Sequence, residues 1–266
     1  ASQYIMAQDQ TVLFHSTIFG PIRSRRLGTS LGVNLMPADG KICSFDCLYC
    51  EAGFNSQGAG KAGLPSPEHT EHDLREKLRD MRGRGESLDV ITFSGNGEPT
   101  LHPDFPEIID MTLRLRDEYY PEAKVSVLTN STRIFDPQVA EALKRVDNNI
   151  LKLDSAVEGT MRAIDRPNDP AFTVERVVEA LGQFKGTGII QTMLVKGEYD
   201  GRRFDNTTPE EIDALIEAYK RIEPKEVMLY SLDRSTPAEK LQKIPHEEIV
   251  RIARRMENAG ITVAPF

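Results

Sequence analysis

Three cysteines are the residues of this chain whose type and spacing point most directly to chemistry. Cys43, Cys47 and Cys50 form the pattern C-x3-C-x2-C, and the rest of the 266-residue sequence contains no cysteine. An odd, tightly grouped set is a poor disulfide framework but a suitable set of metal ligands in a reducing compartment. A four-iron cubane cluster is usually held by four thiolates, so three would leave one iron open to an exchangeable ligand. The spacing therefore predicts a metal centre with an open position.

Two other uses of the thiols remain open. A structural zinc site would combine the three cysteines with one histidine, for which His69 or His72 is available. A non-catalytic iron–sulfur scaffold would also explain the cysteines. It would give no reason for the second motif, the glycine-rich turn Ser94-Gly95-Asn96-Gly97-Glu98-Pro99. Small residues there let the backbone approach a ligand, and Glu98 complements a positive charge, although such a turn alone is weak evidence.

The elements that must position these motifs alternate between strands and helices. Apolar runs predict strands at residues 31–36, 89–94, 124–130, 150–154, 189–195, 226–232 and 261–264. Amphipathic segments between them predict helices at 71–82, 105–119, 137–145, 174–184, 209–221 and 246–258. Alternation of this kind indicates right-handed crossovers and a parallel sheet. Both motifs follow strands, at the ends where the catalytic groups of parallel barrels gather.

One face of the predicted strands is polar. Side chains alternate along residues 150–154, so Leu151 and Leu153 share one face, and Lys152 and Asp154 share the other. The same alternation places further polar residues on inner faces: Asn34, Thr92, Ser94, Ser126, Asn130 and Gln191. A closed eight-stranded barrel fills its interior with Val, Ile and Leu. Six or seven strands with polar inner faces therefore predict an α/β fold with a partial (β/α)6 TIM-like barrel around a ligand.

The inner face also supplies candidates for binding a substrate. Lys152 and Gln191 are predicted to contact it, with Arg25 and Arg26 at the mouth of the barrel if the substrate is anionic. The alternative for Lys152 is a structural ion pair with Asp154, and the alternative for the arginines is a solvated loop. The glycine-rich residues 53–67 are predicted to form a loop that closes the site.

Together the two motifs resemble the signatures of the radical S-adenosylmethionine (SAM) superfamily. The cysteine loop matches C-x3-C-x-aromatic-C with Tyr49 as the aromatic residue, and the turn matches the glycine-rich Glu-Pro motif about forty residues later. The resemblance implies that Cys43, Cys47 and Cys50 hold a [4Fe-4S] cluster whose open iron binds SAM. It further implies an oxygen-sensitive enzyme that cleaves SAM to methionine and a 5′-deoxyadenosyl radical, which abstracts hydrogen from a substrate. Such an enzyme needs a low-potential electron donor such as flavodoxin or ferredoxin.

The resemblance extends to residues that would contact SAM. The superfamily pattern implies that this set comprises Gly95, Asn96, Gly97, Glu98, Asn130, Asp154, Arg166 and the backbone of Tyr49. Asn96 stands where the pattern more usually has glycine. For Asn130, Asp154 and Arg166 the alternative is a cap or an ion pair.

The chain from about residue 19 onward is similar to one branch of this superfamily, the iron–sulfur oxidoreductases grouped with the wyosine-base synthases of tRNA. The shared segments are residues 24–28, 97–100, 193–197 and 232–237. Wyosine synthases carry additional cysteines for a second cluster, which this chain lacks. The branch therefore does not name a substrate. The substrate remains open between a small molecule and a nucleotide or tRNA base, and a glycyl-radical-enzyme activating enzyme is an alternative.

Composition sets the remaining expectations. The net charge of −8 argues against a surface that coats nucleic acid broadly. No apolar stretch approaches the ~20 residues of a membrane span, and no secretory signal is visible, so a cytoplasmic protein that does not bind membranes is expected. We expect an N-terminal extension at 1–18 and one barrel domain at 19–266.

Overall fold

A computed structural model describes residues 4–6, 12–24, 28–233 and 236–266. The strands are β1 (Tyr4–Met6), β2 (Val12–Phe14), β3 (Ile18–Ser24), β4 (Gly28–Asn34), β5 (Val90–Ser94), β6 (Lys124–Thr129), β7 (Asn148–Lys152), β8 (Ile189–Met193), β9 (Val195–Tyr199), β10 (Arg202–Asp205), β11 (Glu226–Tyr230), β12 (Leu241–Lys243) and β13 (Val263–Pro265). The α-helices are α1 (Pro67–Gly83), α2 (Phe105–Tyr119), α3 (Pro137–Arg145), α4 (Glu158–Asp165), α5 (Val174–Leu181), α6 (Pro209–Ile222) and α7 (His246–Asn258). No helix in the described part of the chain combines the length and apolar character that a membrane span requires.

One mostly parallel sheet organises the molecule. Its spatial order is β13-β11-β8-β7-β6-β5-β4-β3, and only β3 runs antiparallel to its neighbour. Helices connect successive parallel strands, so the α/β fold and the mostly parallel sheet expected from the sequence are confirmed. The strand order begins at β13 and ends at β3, as in a partial barrel. Two small antiparallel sheets, β1-β2 and β10-β9-β12, flank it.

The two faces of the sheet differ as the alternation predicts. Leu151 and Leu153 pack into the large apolar core under the helices. The opposite face carries a small apolar cluster, which consists of Ile150, Ile189 and Met228 with Leu128 and Phe266 packed against it. Polar groups bond across neighbouring strands on this inner face, as in the hydrogen bond of 2.8 Å between the hydroxyls of Ser30 and Thr92. On β7 and β8 the inner face is therefore apolar at Ile150 and Ile189 and polar two residues later, at Lys152 and Gln191.

Helix boundaries follow local signals. The predictions for α2, α3 and α7 match the structure, and α1 begins earlier than predicted because Ser66 caps it ahead of Pro67. Helix α4 has only 8 residues and was not predicted. The short strands β9, β10 and β12 were also missed, because so few residues carry no readable period.

Candidate functional site

The loop with the three cysteines lies along the C-terminal end of α4. The amide of Asp46 donates to the carbonyl of Asp165 at 2.9 Å, and the amide of Leu48 donates to Ile164 at 3.0 Å. Arg166 follows with its Nε donating to the Asp46 carbonyl at 2.8 Å and its Nη2 lying 2.9 Å from Asp46 Oδ2. These contacts join segments more than a hundred residues apart and hold the loop in one conformation.

The glycine-rich turn pairs directly with the same loop. Ile42 and Gly97 form a parallel β-bridge, and the amide of Glu98 donates to the Ile42 carbonyl at 3.0 Å. Gly97 has φ +136°, and a Cβ there would lie 1.8 Å from the Ile42 oxygen. Only glycine permits this approach. The two sequence motifs are therefore one hydrogen-bonded unit.

Glu98 is buried beside the end of β6, where protein donors hold its carboxylate. Oε2 accepts from the hydroxyl and amide of Thr100 and from the hydroxyl of Thr129, the last at 2.6 Å. Oε1 accepts from the amide of Asn130 at 2.7 Å, which leaves it a second lone pair. Burial raises the pKa of Glu98 and these hydrogen bonds oppose the rise. These hydrogen bonds fix the orientation of the carboxylate, which lines a cavity.

The cavity has a volume of about 280 Å³ and opens at the C-terminal ends of the parallel strands. The lining includes residues from both motifs, from the ends of β6, β7, β8 and β11 and from the segment after β11: Cys43, Phe45, Cys47, Tyr49, Cys50, Glu51, Gly95, Gly97, Glu98, Leu128, Thr129, Asn130, Lys152, Gln191, Met193, Tyr230, Leu232, Asp233 and Thr236. Residues 53–67 do not line it, because the amides of Lys61 and Ala62 instead bind Asp39 at 2.7 and 3.1 Å. The expectation that this loop closes the site is wrong. The chain at Leu232, Asp233 and Thr236 contributes the wall in its place.

The three thiols suit a cluster held by three thiolates. All three are free and all face the one cavity. Burial and the charge of Glu98 raise the pKa of Cys43 to about 12. Burial and the charge of Asp165 raise the pKa of Cys47, whose thiol lies 3.6 Å from Asp165 Oδ1. Neutral thiols of this kind release their protons when they ligate a metal.

The arrangement differs from that of a single-ion site. Within the described residues, no group of three His, Cys, Asp or Glu side chains is placed to hold one ion. The thiolates of a cubane cluster bind separate irons and need not meet at one point. His69 and His72 are exposed on α1 and do not line the cavity. Neither therefore supplies the fourth ligand of a zinc site.

Lys152 belongs to a buried polar network beside Cys47. Its Nζ bonds the hydroxyl of Tyr49 and lies 3.4 Å from Asp154 Oδ2 and 4.7 Å from the centre of the Tyr49 ring. The Tyr49 hydroxyl also donates to Asp154. Burial lowers the pKa of Lys152, but the negative charges around it, that of Asp154 foremost, outweigh burial and raise the pKa well above its usual range. The side chain is therefore a cation. It forms the ion pair with Asp154 that was the alternative interpretation, and it also lines the cavity, as a residue that contacts a substrate would.

Gln191 lies next to Lys152 in the register of β7 and β8 and faces the cavity. The residue is only 7% exposed. In the described part of the chain its side-chain amide makes no hydrogen bond, and it is not among the fully buried polar atoms that lack a partner. The amide therefore reaches the cavity, where it is available to a ligand.

The remaining predicted contacts divide by their position. Asn130 and Tyr49 line the cavity, and Asn130 Nδ2 lies 3.6 Å from Cys43 Sγ. Asp154 is fully buried behind Tyr49, and the Arg166 guanidinium stacks on Phe54 at 4.7 Å, so neither lines the cavity. Their direct contact with SAM stays a prediction.

Asn96 also points away from the cavity. Its side chain bonds both the amide and the carbonyl of Phe14 at 2.8 and 2.7 Å, and the carbonyl of Pro37 at 2.8 Å. It therefore docks strand β2 onto the turn, while any contact of its backbone with SAM stays a prediction. Arg25 and Arg26 lie outside the described residues, and their role at the mouth also stays a prediction.

Sequence reasoning missed two kinds of residue. Thr100 and Thr129 orient Glu98. The only sequence signal for them was their position, since Thr100 follows the glycine-rich turn and Thr129 precedes Asn130. Lys41 is buried two residues before Cys43, and a charged residue in that position was the available signal.

Comparisons with known proteins agree with this geometry. The family model described as the radical SAM superfamily matches residues 39–203. The UPF0026 protein of Methanocaldococcus jannaschii is 31% identical over 87% of this chain and 68% of its own length. A protein of Brachyspira hyodysenteriae named GTPase Obg is 30% identical over 92% of this chain, which spans only 34% of that protein.

Solved structures share the fold. A radical SAM methyltransferase from Sphaerobacter thermophilus superposes with a TM-score of 0.67 at 18% identity, covering 99% of this chain and 75% of the other. The structure of TYW1 with a lysine–pyruvate adduct bound superposes with a TM-score of 0.59 at 15% identity, covering 88% of this chain and 75% of the other.

Proposed function

Because this chain belongs to the radical SAM superfamily, and within it to the UPF0026 family, we propose that it cleaves SAM reductively at a [4Fe-4S] cluster held by Cys43, Cys47 and Cys50. Superfamily membership makes the protein an enzyme. The observation that carries the finer proposal is that three free thiols and the Gly95–Glu98 turn share one cavity. Three ligands and an adjoining cavity that contains the polar groups of Glu98 and Asn130 match the requirement for an exchangeable ligand at one iron.

Cys43, Cys47 and Cys50 would hold the cluster, which would supply the electron for reductive cleavage of SAM, the chemistry that yields methionine and a 5′-deoxyadenosyl radical able to remove a hydrogen atom from the substrate. The chain's own residues bind and orient. The free lone pair of Glu98 Oε1 suits an ammonium group, and the bare backbone of Gly97 lets a ligand come close. Burial of these groups keeps water from the reacting centre. The electron comes from a low-potential protein donor such as flavodoxin or ferredoxin.

The substrate is a small molecule, a nucleotide or a tRNA base, and Lys152 and Gln191 bind it from the inner face. The amide of Gln191, which has no hydrogen bond within the described residues, offers one donor edge and one acceptor edge. Lys152 acts as a fixed cation that attracts a carboxylate or phosphate. The ion pair with Asp154 holds Lys152 as an ammonium group, whereas a covalent adduct such as the lysine–pyruvate adduct of TYW1 forms at a neutral amine. The tRNA-base option rests on the resemblance to the wyosine branch.

The test is anaerobic formation of 5′-deoxyadenosine from SAM by the reconstituted, dithionite-reduced protein. We expect product from the wild type and none from Cys47→Ala. Gln191→Leu serves as a matched variant in the same cavity, which should retain SAM cleavage and lose stimulation by substrate. Nucleosides, tRNA and cell metabolites are then added in turn to find that stimulation. A protein with four irons and sulfide that forms no 5′-deoxyadenosine under any of these conditions would contradict the proposal.

A further inference from the structure

Lys41 carries a positive charge into the interior next to the cysteine loop. The residue is 3% exposed, and its Nζ donates to the carbonyl of Gly53 at 2.6 Å. Lysine is almost never buried to this degree unless an opposite charge accompanies it, because removing the ammonium from water is costly. The structure must therefore provide that opposite charge nearby.

Asp46 supplies only part of the negative charge that the buried Lys41 requires. Asp46 Oδ1 lies 3.9 Å from Lys41 Nζ, at the limit of an ion pair. The same carboxylate accepts from the amide of Asn55 at 2.8 Å and pairs with Arg166 at 2.9 Å. Asp46 is therefore shared between two cations, and the Lys41 charge stays incompletely balanced by carboxylates.

The ammonium lies against the cysteine loop on two sides. Asp46, near its Nζ, stands between Cys43 and Cys47 in the chain, and Gly53, which accepts its hydrogen bond, donates its own amide to the carbonyl of Cys50 at 3.0 Å. The buried cation is therefore held within the loop that carries all three thiols. An anionic cluster on these thiols would supply the opposite charge that the position of Lys41 requires.

We propose that Lys41 is a positioning residue whose buried charge stabilises the reduced state of the cluster and so raises its reduction potential. Reduction adds one negative charge to the cluster, and a cation at close range in a low-dielectric interior favours that state. The hydrogen bond to Gly53 fixes the ammonium in place. This inference rests on the proposed function, because it requires a cluster on the three cysteines.

The test is a redox titration of the reconstituted protein, followed by electron paramagnetic resonance without SAM or substrate. Lys41→Gln keeps an N–H donor for the Gly53 carbonyl and removes the charge. We expect the reduction equilibrium constant to fall at least tenfold, which is about 59 mV for one electron. Lys41→Arg should stay near the wild-type potential. Lys220→Gln, which changes an exposed lysine on α6, should leave the potential unchanged.

A second variant tests whether the reduction potential shifts in the opposite direction when a negative charge is removed. Asp46→Asn removes the carboxylate near Lys41 and should raise the potential, whereas general damage to the loop would not shift the two variants in opposite directions. If Lys41→Gln binds a full cluster at the wild-type potential, Lys41 only clamps the loop and the inference is overturned. If Lys41→Gln binds no cluster, the potential of Asp46→Asn decides. A potential above that of the wild type supports the inference, and an unchanged or lower potential overturns it. A wild type that assembles no four-iron cluster would instead refute the proposed function.

Discussion

Gly97 is the residue at which the backbone of the two motifs meets most closely. Its φ of +136° lies in the region that side chains rarely adopt, and the Ile42 carbonyl occupies the space of a Cβ. The amides of Ile42 and Glu98 on either side depend on that approach for their hydrogen bonds. The orientation of Glu98 is therefore decided by the absence of one methyl group at its neighbour.

Gly97→Ala should lower the free energy of unfolding by about 1–3 kcal/mol from the backbone conformation alone, with the contact to Ile42 adding to this. Urea denaturation of the metal-free protein measures the change. Gly182→Ala is the matched control, because Gly182 has helical φ and nothing near its Cβ position. The control should be neutral or stabilising by up to about 1 kcal/mol. Equal losses in both variants would contradict the close approach.

At the scale of elements, α4 acts as a support for the cysteine loop rather than as part of the cavity. Its last carbonyls accept from the loop amides, and Arg166, in the left-handed conformation that ends the helix, reaches back to Asp46. The base of α4 is fixed in turn from α6. The carboxylate of Glu211 accepts from the hydroxyls of Ser155 and Thr160 at 2.7 and 2.9 Å.

Arg166→Met should loosen the cysteine loop without unfolding the protein. Hydrogen bonds to charged groups contribute about 1.5–3 kcal/mol, so we expect the amides of Asp46 and Leu48 to exchange with solvent at least about tenfold faster. Hydrogen–deuterium exchange with peptide mapping measures this. Arg221→Met removes a surface pair with Glu175 between α6 and α5 and should leave the loop unaffected. Unchanged exchange in Arg166→Met would show that the backbone contacts alone hold the loop.

At the scale of the whole molecule, most of the apolar core lies away from the site. The large core lies mainly between the helices and the outer face of the sheet, and the cavity opens on the inner face at one end of the strands, with Phe45, Cys47 and Tyr49 belonging to both. The three thiols are small side chains and contribute little of the apolar area that stabilises the fold. The sheet should therefore form before any metal is bound.

The triple variant Cys43→Ala, Cys47→Ala, Cys50→Ala should fold like the metal-free wild type. We expect the same circular dichroism spectrum and an unfolding free energy within about 2 kcal/mol, since only small side chains are removed. Loading the wild type with iron and sulfide should raise its melting temperature by linkage, and the variant should show no such rise. A variant that is unfolded in the absence of metal would contradict the separation of core and site.

Sequence patterns were sufficient for the elements with long, clear periods. The bounds of α2, α3 and α7 and the split between Leu151 and Lys152 follow from apolar spacing and caps alone. Helix α4 was missed because its 8 residues give barely two turns of pattern and no side chain caps its start. Helix α5 has the same length, but Thr173 caps it and residues 182–184 continue it.

By itself, the sequence determined the class of the protein: three cysteines at a fixed spacing and a glycine-rich Glu-Pro turn are local signals, carried by a few adjacent residues. The tertiary structure decided how individual side chains are used. It turned Asn96 toward strand β2 and Arg166 toward the cysteine loop, left the amide of Gln191 facing the cavity, and buried Lys41 beside the thiols. The physical reason is that these contacts join residues far apart in the chain. The direction of a side chain among such partners depends on packing and burial, which local spacing does not encode.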